Sequence, residues 1–278
     1  MSIELLRIVA MLLIAFQHFP KIAQFYNHGH GFWQRLPLAE AASFITELGG
    51  GDCLFFGISV WFLCEETPSL KRSLGRAWQL EKQLLYYSFI LFAIDLCLMK
   101  IGILNLSAKR LVIIAARTLF PVTLEHWWYP SAYVMFLIIF PPLTVGLYKL
   151  RQRYHFWLAL ALILFWGWIP NFAPSIARGM SYSIFLFVFQ YVLLSYVKWY
   201  HPDVLKQKRV AYYLIAFGGV VGFISQALGQ MYYVKKGRNV AFDEWLNCPA
   251  CVIPMMIALG LLILANCSKN ASILPLTN

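Results

Sequence analysis

Arg7 and His18 are two residues of the first apolar segment whose types and spacing suggest chemistry. They stand 11 residues apart. On an α-helix this spacing corresponds to about 20° of rotation and about 16 Å of rise, so the two side chains share one face. A histidine can act as a general base near neutral pH, and an arginine binds phosphate or carbonyl oxygens through paired hydrogen bonds. The alternative is structural, with Arg7 reaching the cytoplasmic headgroups and His18 lying in the outer interface.

Glu125 and His126 form an acid–base pair just before another apolar segment. Trp127, Trp128 and Tyr129 follow them directly. Such aromatic side chains are typical of the belt at a membrane–water interface, but aromatic platforms also stack on sugars and flat cofactors. Both interpretations stay open, and the stretch is a candidate site.

Asp52 and Ser59 lie within the second apolar segment, and Asp52 directly follows Gly50 and Gly51. Asp52 is either the N-cap of a helix, with the glycines as the preceding turn, or a substrate contact. Ser59 fits a helix-packing hydroxyl better than a nucleophile. No metal is expected, because His28 and His30 lack a third ligand at a suitable spacing.

The composition of the chain indicates which class of protein holds these residues in place. Hydrophobic residues make up 60% of the 278 residues and charged residues only 13%, whereas soluble domains have about 25% charged residues. This excludes a soluble enzyme, a disordered chain and a disulfide-stapled secreted module, and predicts a polytopic membrane protein. The net charge of +11 comes from residues between the apolar segments, so no nucleic-acid partner is expected.

The sequence predicts an all-α transmembrane helix bundle, a single domain over residues 1–278. A spanning helix needs about 20 mostly apolar residues. About eight spanning helices are expected, at Ile3–Phe19, Phe44–Cys64, Leu84–Leu104, Trp127–Tyr148, Phe156–Phe172, Tyr182–Trp199, Ala211–Leu228 and Cys248–Cys267. Lys109–Leu124 is too short to span and is predicted to be an interfacial or re-entrant helix. Asp95 lies deep in the third segment, where pairing with Arg7 or Arg117 is expected.

The orientation in the membrane follows from the basic residues between the segments. Three dense clusters alternate along the chain, namely Lys71–Lys82, Lys149–Arg153 and Lys198–Arg209. Cytoplasmic loops carry an excess of lysine and arginine. The clusters therefore favour a cytoplasmic N-terminus in a multi-pass protein of the cell membrane.

Several motifs in order resemble acyltransferase family 3, a family of integral membrane O-acyltransferases. They cover nearly the whole chain: the string Ile3–Phe19 with the Arg7–His18 spacing, Gly51–Ser59, the basic residues Lys71, Arg72 and Arg76, the stretch Phe120–Thr123 with Trp128, Tyr129, Tyr133 and Pro141, and Trp245–Asn270.

The resemblance implies transfer of an acetyl or other short acyl group from acyl-CoA to a hydroxyl of a cell-surface carbohydrate. His18 would be the general base or a transient acyl carrier, and Arg7 would orient the donor or stabilise developing negative charge. Arg72 and Arg76 would meet the phosphates of CoA. Glu125 and His126 are further catalytic candidates. The substrate-binding candidates are Asp52, Ser59, Arg72, Arg76, Trp128, Tyr129 and Tyr133.

Two other functions stay open. Intramembrane Arg7, His18 and Asp95 also suit a transporter or flippase for a lipid-linked or polyanionic substrate. Family members are typically longer, and the chain ends about where a further helix would begin, so it is expected to be a short or C-terminally truncated member. A catalytically inactive paralogue is the remaining alternative.

Overall fold

The computed structural model describes residues 2–26, 50–124, 127–168, 183–235 and 252–271. Within these ranges, the side chains of residues 17–26, 226–235 and 269–271 are not described. The described residues are predominantly α-helical and contain no β-strand. This confirms the predicted all-α class.

The described helices correspond one by one to the predicted segments. Their bounds are α1 Ile3–Tyr26, α2 Gly51–Leu63, α3 Leu70–Lys100, α4 Ala108–Leu119, α5 Trp128–Lys149, α6 Gln152–Ala161 continued by a π-helical turn Leu162–Trp166, α7 Ile184–Tyr200, α8 Lys208–Lys235 and α9 Val252–Ala271. A short 3-10 turn, Val204–Lys206, precedes α8. The segment predicted to be interfacial or re-entrant contains the 12-residue helix α4.

Three of the described helices are long and apolar enough to cross a membrane. They are α3, α5 and the part of α8 from Lys208 to Ser225. The helices α2, α7 and the part of α9 from Val252 to Ser268 are apolar but shorter. The membrane character of the chain follows from these helices, and the number of about eight spans stays a prediction.

Helix α3 begins at Leu70, well before the predicted start at Leu84. Ser69 caps it, because its hydroxyl accepts a hydrogen bond from the backbone N–H of Arg72. The residues from Leu70 to Gln83 are more polar than those that follow, but they still favour a helix. The helix therefore begins before the apolar stretch. Its 31 residues correspond to about 46 Å, longer than the roughly 30 Å hydrocarbon layer. Hydropathy marks the apolar part of such a helix and misses its polar extension.

Contacts group the helices into two compact units. The first unit holds α1, α2, α6, α8, α9 and the part of α7 from Val188. In this unit α2 packs against α1 and α9, and α9 packs against α8. Most of α2 is buried, including its polar residue Asp52. A helix that is apolar around its whole circumference belongs inside a bundle, so α2 forms the core of this unit.

The second unit holds α3, α4, α5 and residues 182–187. Here α3 packs against both α4 and α5. The buried side of α5 carries Phe136, Leu137 and Phe140. On α4, Thr118 is buried, whereas the apolar residues Val112 and Leu119 are exposed. The organisation of residues 1–278 as a single domain stays a prediction.

Candidate functional site

Helix α1 carries the two residues on which the chemical hypothesis depends. It runs without interruption from Ile3 to Tyr26 and so contains both Arg7 and His18, as the spacing argument requires. The Nη1 of Arg7 lies 2.9 Å from Glu4 Oε2 in an ion pair between successive turns. Arg7 is 41% exposed. The side chain of His18 lies outside the described residues, so the direction in which it points stays a prediction.

The first turn of α2 reaches α1 between these two residues. A Cβ atom on Gly51 would lie 2.9 Å from the Cβ of Leu13 and 3.0 Å from the backbone nitrogen of Ile14. Because these distances are too short for any side chain, glycine is required for the close approach. Leu13 and Ile14 stand between Arg7 and His18 in the sequence. The structure thus brings the first turn of α2, which contains Asp52, to the part of α1 that separates the arginine from the histidine.

Asp52 is not the N-cap of α2, contrary to one of the two interpretations from the sequence. That position belongs to Gly50, which has a left-handed backbone with φ 55° and ψ 48°. Asp52 lies within the first helical turn and is 7% exposed. Negative charge at this end of a helix interacts favourably with the exposed backbone N–H groups. The interpretation as a substrate contact stays a prediction.

Ser59 lies on the same face of α2 as Asp52. The two residues are seven positions apart, which is two helical turns. The Ser59 hydroxyl donates a hydrogen bond to the carbonyl of Phe55 in its own helix, at 3.4 Å. This hydrogen bond lies within α2, and the roles of Ser59 as a helix-packing hydroxyl or as a substrate contact stay predictions.

Gln190 of α7 contacts the beginning of α2. The sequence did not indicate this role for Gln190. Its Nε2 donates to the Cys53 carbonyl at 2.9 Å and lies 3.0 Å from Cys53 Sγ. The sulfur of Cys53 in turn lies 4.0 Å from Met255 Sδ on α9. Since a carbonyl can only accept, the amide nitrogen must face Cys53, and Gln190 Oε1 is left buried without a partner in the described part of the chain. Three helices meet at this polar contact.

Lys198 of α7 holds the other end of α2. Its Nζ lies 2.5 Å from Glu65 Oε1, donates to the Trp61 carbonyl at 2.7 Å and lies 3.9 Å from the centre of the Trp61 ring. Trp199 Nε1 donates to the Cys64 carbonyl at 3.0 Å. The last carbonyls of a helix have no partner within it, and α7 supplies donors for two such groups.

Lys198 and Gln190 could have been found from the sequence. Both stand in the apolar segment predicted at Tyr182–Trp199, where polar side chains are costly and usually functional or paired. Lys198 was instead counted with the basic cluster Lys198–Arg209 as a topological charge. Only 7% of its side chain is exposed, and its ammonium group pairs with the carboxylate of Glu65, so Lys198 also has a structural role, while its place in the cytoplasmic cluster stays a prediction.

In the second unit, Arg72 and Arg76 lie one turn apart on the same face of α3. Arg72 is exposed and Arg76 is half-buried. They form a pair of cations near the beginning of the helix. Further along the same helix, Asp95 has no hydrogen bond or ion pair with any described residue, so the pairing expected for it is not found there.

The aromatic candidates form a continuous stack along α5. The rings of Tyr129 and Tyr133 are parallel within 8°, with centroids 6.3 Å apart, and Trp128 meets Tyr129 edge-on at 6.3 Å. Phe187 lies 5.9 Å from Tyr129 and 5.5 Å from Tyr133. Three of the substrate-binding candidates are therefore brought together in one half-buried wall.

Ser131 anchors the stretch that leads into this wall. Its hydroxyl lies 2.8 Å from the Val122 carbonyl and 3.0 Å from the Trp127 carbonyl. The chain before α5 is thus tied back onto the first turns of the helix. Glu125 and His126, which belong to that stretch, lie outside the described residues, and so do His28 and His30. The four described cysteines are free.

These features define a class of protein: a helical membrane protein whose helices carry charged and polar residues at internal positions. A family model described as an acyltransferase domain, that of acyltransferase family 3, matches residues 2–277. The chain belongs to this family and is an acyltransferase of the membrane type. No curated protein and no solved structure matches it.

Proposed function

We propose that the protein transfers an acetyl or other short acyl group from acyl-CoA to a hydroxyl of a cell-surface carbohydrate. One observation carries the proposal: Arg7 and His18 belong to one unbroken helix of a chain in an acyltransferase family. The buried first turn of α2 meets this helix between the two residues. A cation and an imidazole on one face suit a reaction in which a proton is removed and negative charge develops.

The chemical step needs one base and one site of charge stabilisation. His18 takes the proton from the acceptor hydroxyl as that oxygen attacks the thioester carbonyl. The carbon–sulfur bond then breaks, and the CoA thiolate leaves and takes up the proton. Arg7 stabilises the negative oxygen or orients the donor. In the other form of the proposal, His18 first carries the acyl group itself and then passes it to the hydroxyl.

The remaining candidates bind the two substrates. Arg72 and Arg76 are cations with planar donor groups suited to the phosphates of CoA. The aromatic wall of Trp128, Tyr129 and Tyr133 is suited to a sugar ring. Asp52 and Ser59 contact substrate from α2. Glu125 and His126 are the second acid–base pair.

The reaction belongs to the cell membrane, and the protein is a multi-pass chain with a cytoplasmic N-terminus. The basic clusters favour this orientation. It gives Arg7, close to that terminus, access to the cytoplasmic donor, whereas His18 lies farther along the helix, toward an exported acceptor.

The test compares His18→Ala with its neighbour Gln17→Ala. Membranes containing the full chain are supplied with labelled acetyl-CoA, and acetyl incorporation into surface glycan is measured together with protein level. His18→Ala is expected to lose at least a hundredfold in rate, because general-base contributions are about 10²–10⁴. Gln17→Ala, about 100° away around the helix, is expected to keep its activity.

Three outcomes would contradict the proposal. Full activity of His18→Ala would remove this residue from the mechanism. Substrate translocation by the wild-type protein without acyl-CoA and without acyl incorporation would favour the transporter, and a wild-type protein active in neither assay would be the inactive paralogue.

A further inference from the structure

The first unit contains an apolar cavity that the proposed chemistry does not use. Its volume is about 390 Å³, which is within the usual range for ligand pockets. It lies between α6, α7, α8 and α9, and its lining includes Phe156, Leu160, Ile163, Leu193, Leu214 and Met256. Of the described lining residues, Tyr196 alone carries a hydroxyl, and this hydroxyl lies 3.1 Å from His201 Nε2.

Such a lining selects a hydrocarbon occupant. Water in a cavity needs two to four polar partners, and the described walls do not offer them. An empty cavity would forfeit the dispersion contacts of its walls. The cavity covers the stretch from Phe189 to Val197 on α7, which is about 12 Å along the helix axis. The lining thus extends along the helix axis, the direction in which a lipid tail lies beside a spanning helix.

The face of α6 that lines the cavity carries a cation one turn before the lining begins. Arg153, Phe156, Leu160 and Ile163 follow the spacing of one helical face along α6. Arg153 is exposed and forms no hydrogen bond or ion pair with the described residues. It lies one turn closer to the beginning of α6 than Phe156, which lines the cavity. Arg151 is the residue directly before α6 begins. It is two positions from Arg153 and so does not share the helical face of Arg153 and Phe156.

We propose that this cavity binds one acyl tail of an anionic bilayer phospholipid, with the lipid phosphate on Arg153. A tail in the apolar part and a single phosphodiester at the cation match the two ends of the site. The Tyr196–His201 pair lies beside the apolar part and supplies a polar edge. The site shares no residue with those proposed for acyl transfer.

The test measures which lipid the full chain retains. The protein is reconstituted in vesicles of equal amounts of phosphatidylglycerol and phosphatidylcholine and re-extracted in mild detergent, and the bound lipid is quantified by mass spectrometry. Wild type is expected to retain phosphatidylglycerol preferentially. Arg153→Gln is expected to lower this preference about fivefold, the effect of one cation near a membrane surface, whereas Arg151→Gln is expected to leave it unchanged.

A second pair of variants tests the cavity itself. Leu193→Trp fills it and is expected to reduce retention of both lipids, whereas Leu158→Trp, on the exposed side of α6, is expected to have no effect. Size-exclusion profiles check that each variant is folded. Equal retention of the two lipids by wild type, or equal effects of the two arginine variants, would overturn the proposal. The extraction is repeated with palmitoyl-CoA added to the vesicles, and preferential retention of palmitoyl-CoA over both phospholipids would also overturn the proposal.

Discussion

Lys198 and Gln190 hold α2 from the neighbouring helix α7, one at each end of α2. Gln190 contacts Cys53 next to Asp52, and Lys198 satisfies a carbonyl and the carboxylate of Glu65 near the last turn. Both side chains contact α2. They are positioning residues for the helix that carries Asp52 and Ser59.

Replacement of Lys198 is expected to destabilise the protein. Lys198→Met leaves the Trp61 carbonyl without its donor, and an unpaired buried polar group costs about 1–3 kcal/mol. The midpoint of thermal unfolding in detergent should fall. The control is Lys206→Met, since Lys206 also forms a 2.9 Å ion pair, with Asp203, but both partners are largely exposed and such pairs contribute little. Equal midpoints for the two variants would contradict the role given to Lys198.

Residue types alone did not identify the ion-pair partner of Arg7. The sequence singled out Arg7 as a costly cation and proposed Asp95 as a partner, because opposite charges inside a membrane tend to pair. The structure pairs Arg7 with Glu4, only three residues away. Residues three apart are neighbours on a helix, so the carboxylate of Glu4 is closer to Arg7 than any distant acidic residue needs to be.

Among the elements, the close contact of α8 and α9 depends on glycine. A Cβ on Gly260 would lie 2.7 Å from Ile215 Cγ1 and 2.9 Å from the Ala211 carbonyl oxygen. The second neighbour is backbone and cannot rotate away. Small residues allow membrane helices to approach closely in this way. This contact was not predicted, since hydropathy does not show which face of a helix meets which neighbour.

Gly260→Ala is therefore expected to lower stability by about 1–3 kcal/mol, the usual cost of overpacking. Gly219→Ala is the matched control, because no atom lies within 4 Å of its Cβ position. Alanine there should be neutral or slightly stabilising, since it favours helix over glycine. Thermal unfolding of the two variants in the same detergent gives the comparison. A loss of stability in Gly219→Ala equal to that in Gly260→Ala would contradict the packing argument.

The apolar segments predicted the helices more accurately than their ends. All eight segments contain a helix, because a long apolar stretch in a membrane must satisfy its backbone hydrogen bonds internally. The ends depend on polar residues and caps. Thus α1 continues past Phe19 to Tyr26, and α3 begins after the cap at Ser69.

For the whole molecule, the basic clusters lead to a prediction about orientation. The loop before α8 contains Lys206 and belongs to the proposed cytoplasmic side, whereas Lys235, at the other end of this 28-residue helix, belongs to the opposite side. An epitope inserted after Pro202 should be reached by antibody only in permeabilised cells. An epitope inserted after Gly237 should be reached in intact cells. The reverse pattern would invert the proposed topology.

The sequence by itself determined the all-helical membrane class, the order of the apolar helices and the family, because hydropathy and ordered motifs are properties of the chain read along its length. It also determined the 11-residue spacing of Arg7 and His18, which a helix converts into a shared face. Only the tertiary structure decided what the interior polar groups contact. Cys53 with Gln190 and Trp61 with Lys198 are 137 residues apart, and such contacts arise when helices pack side by side, which no local pattern in the sequence records.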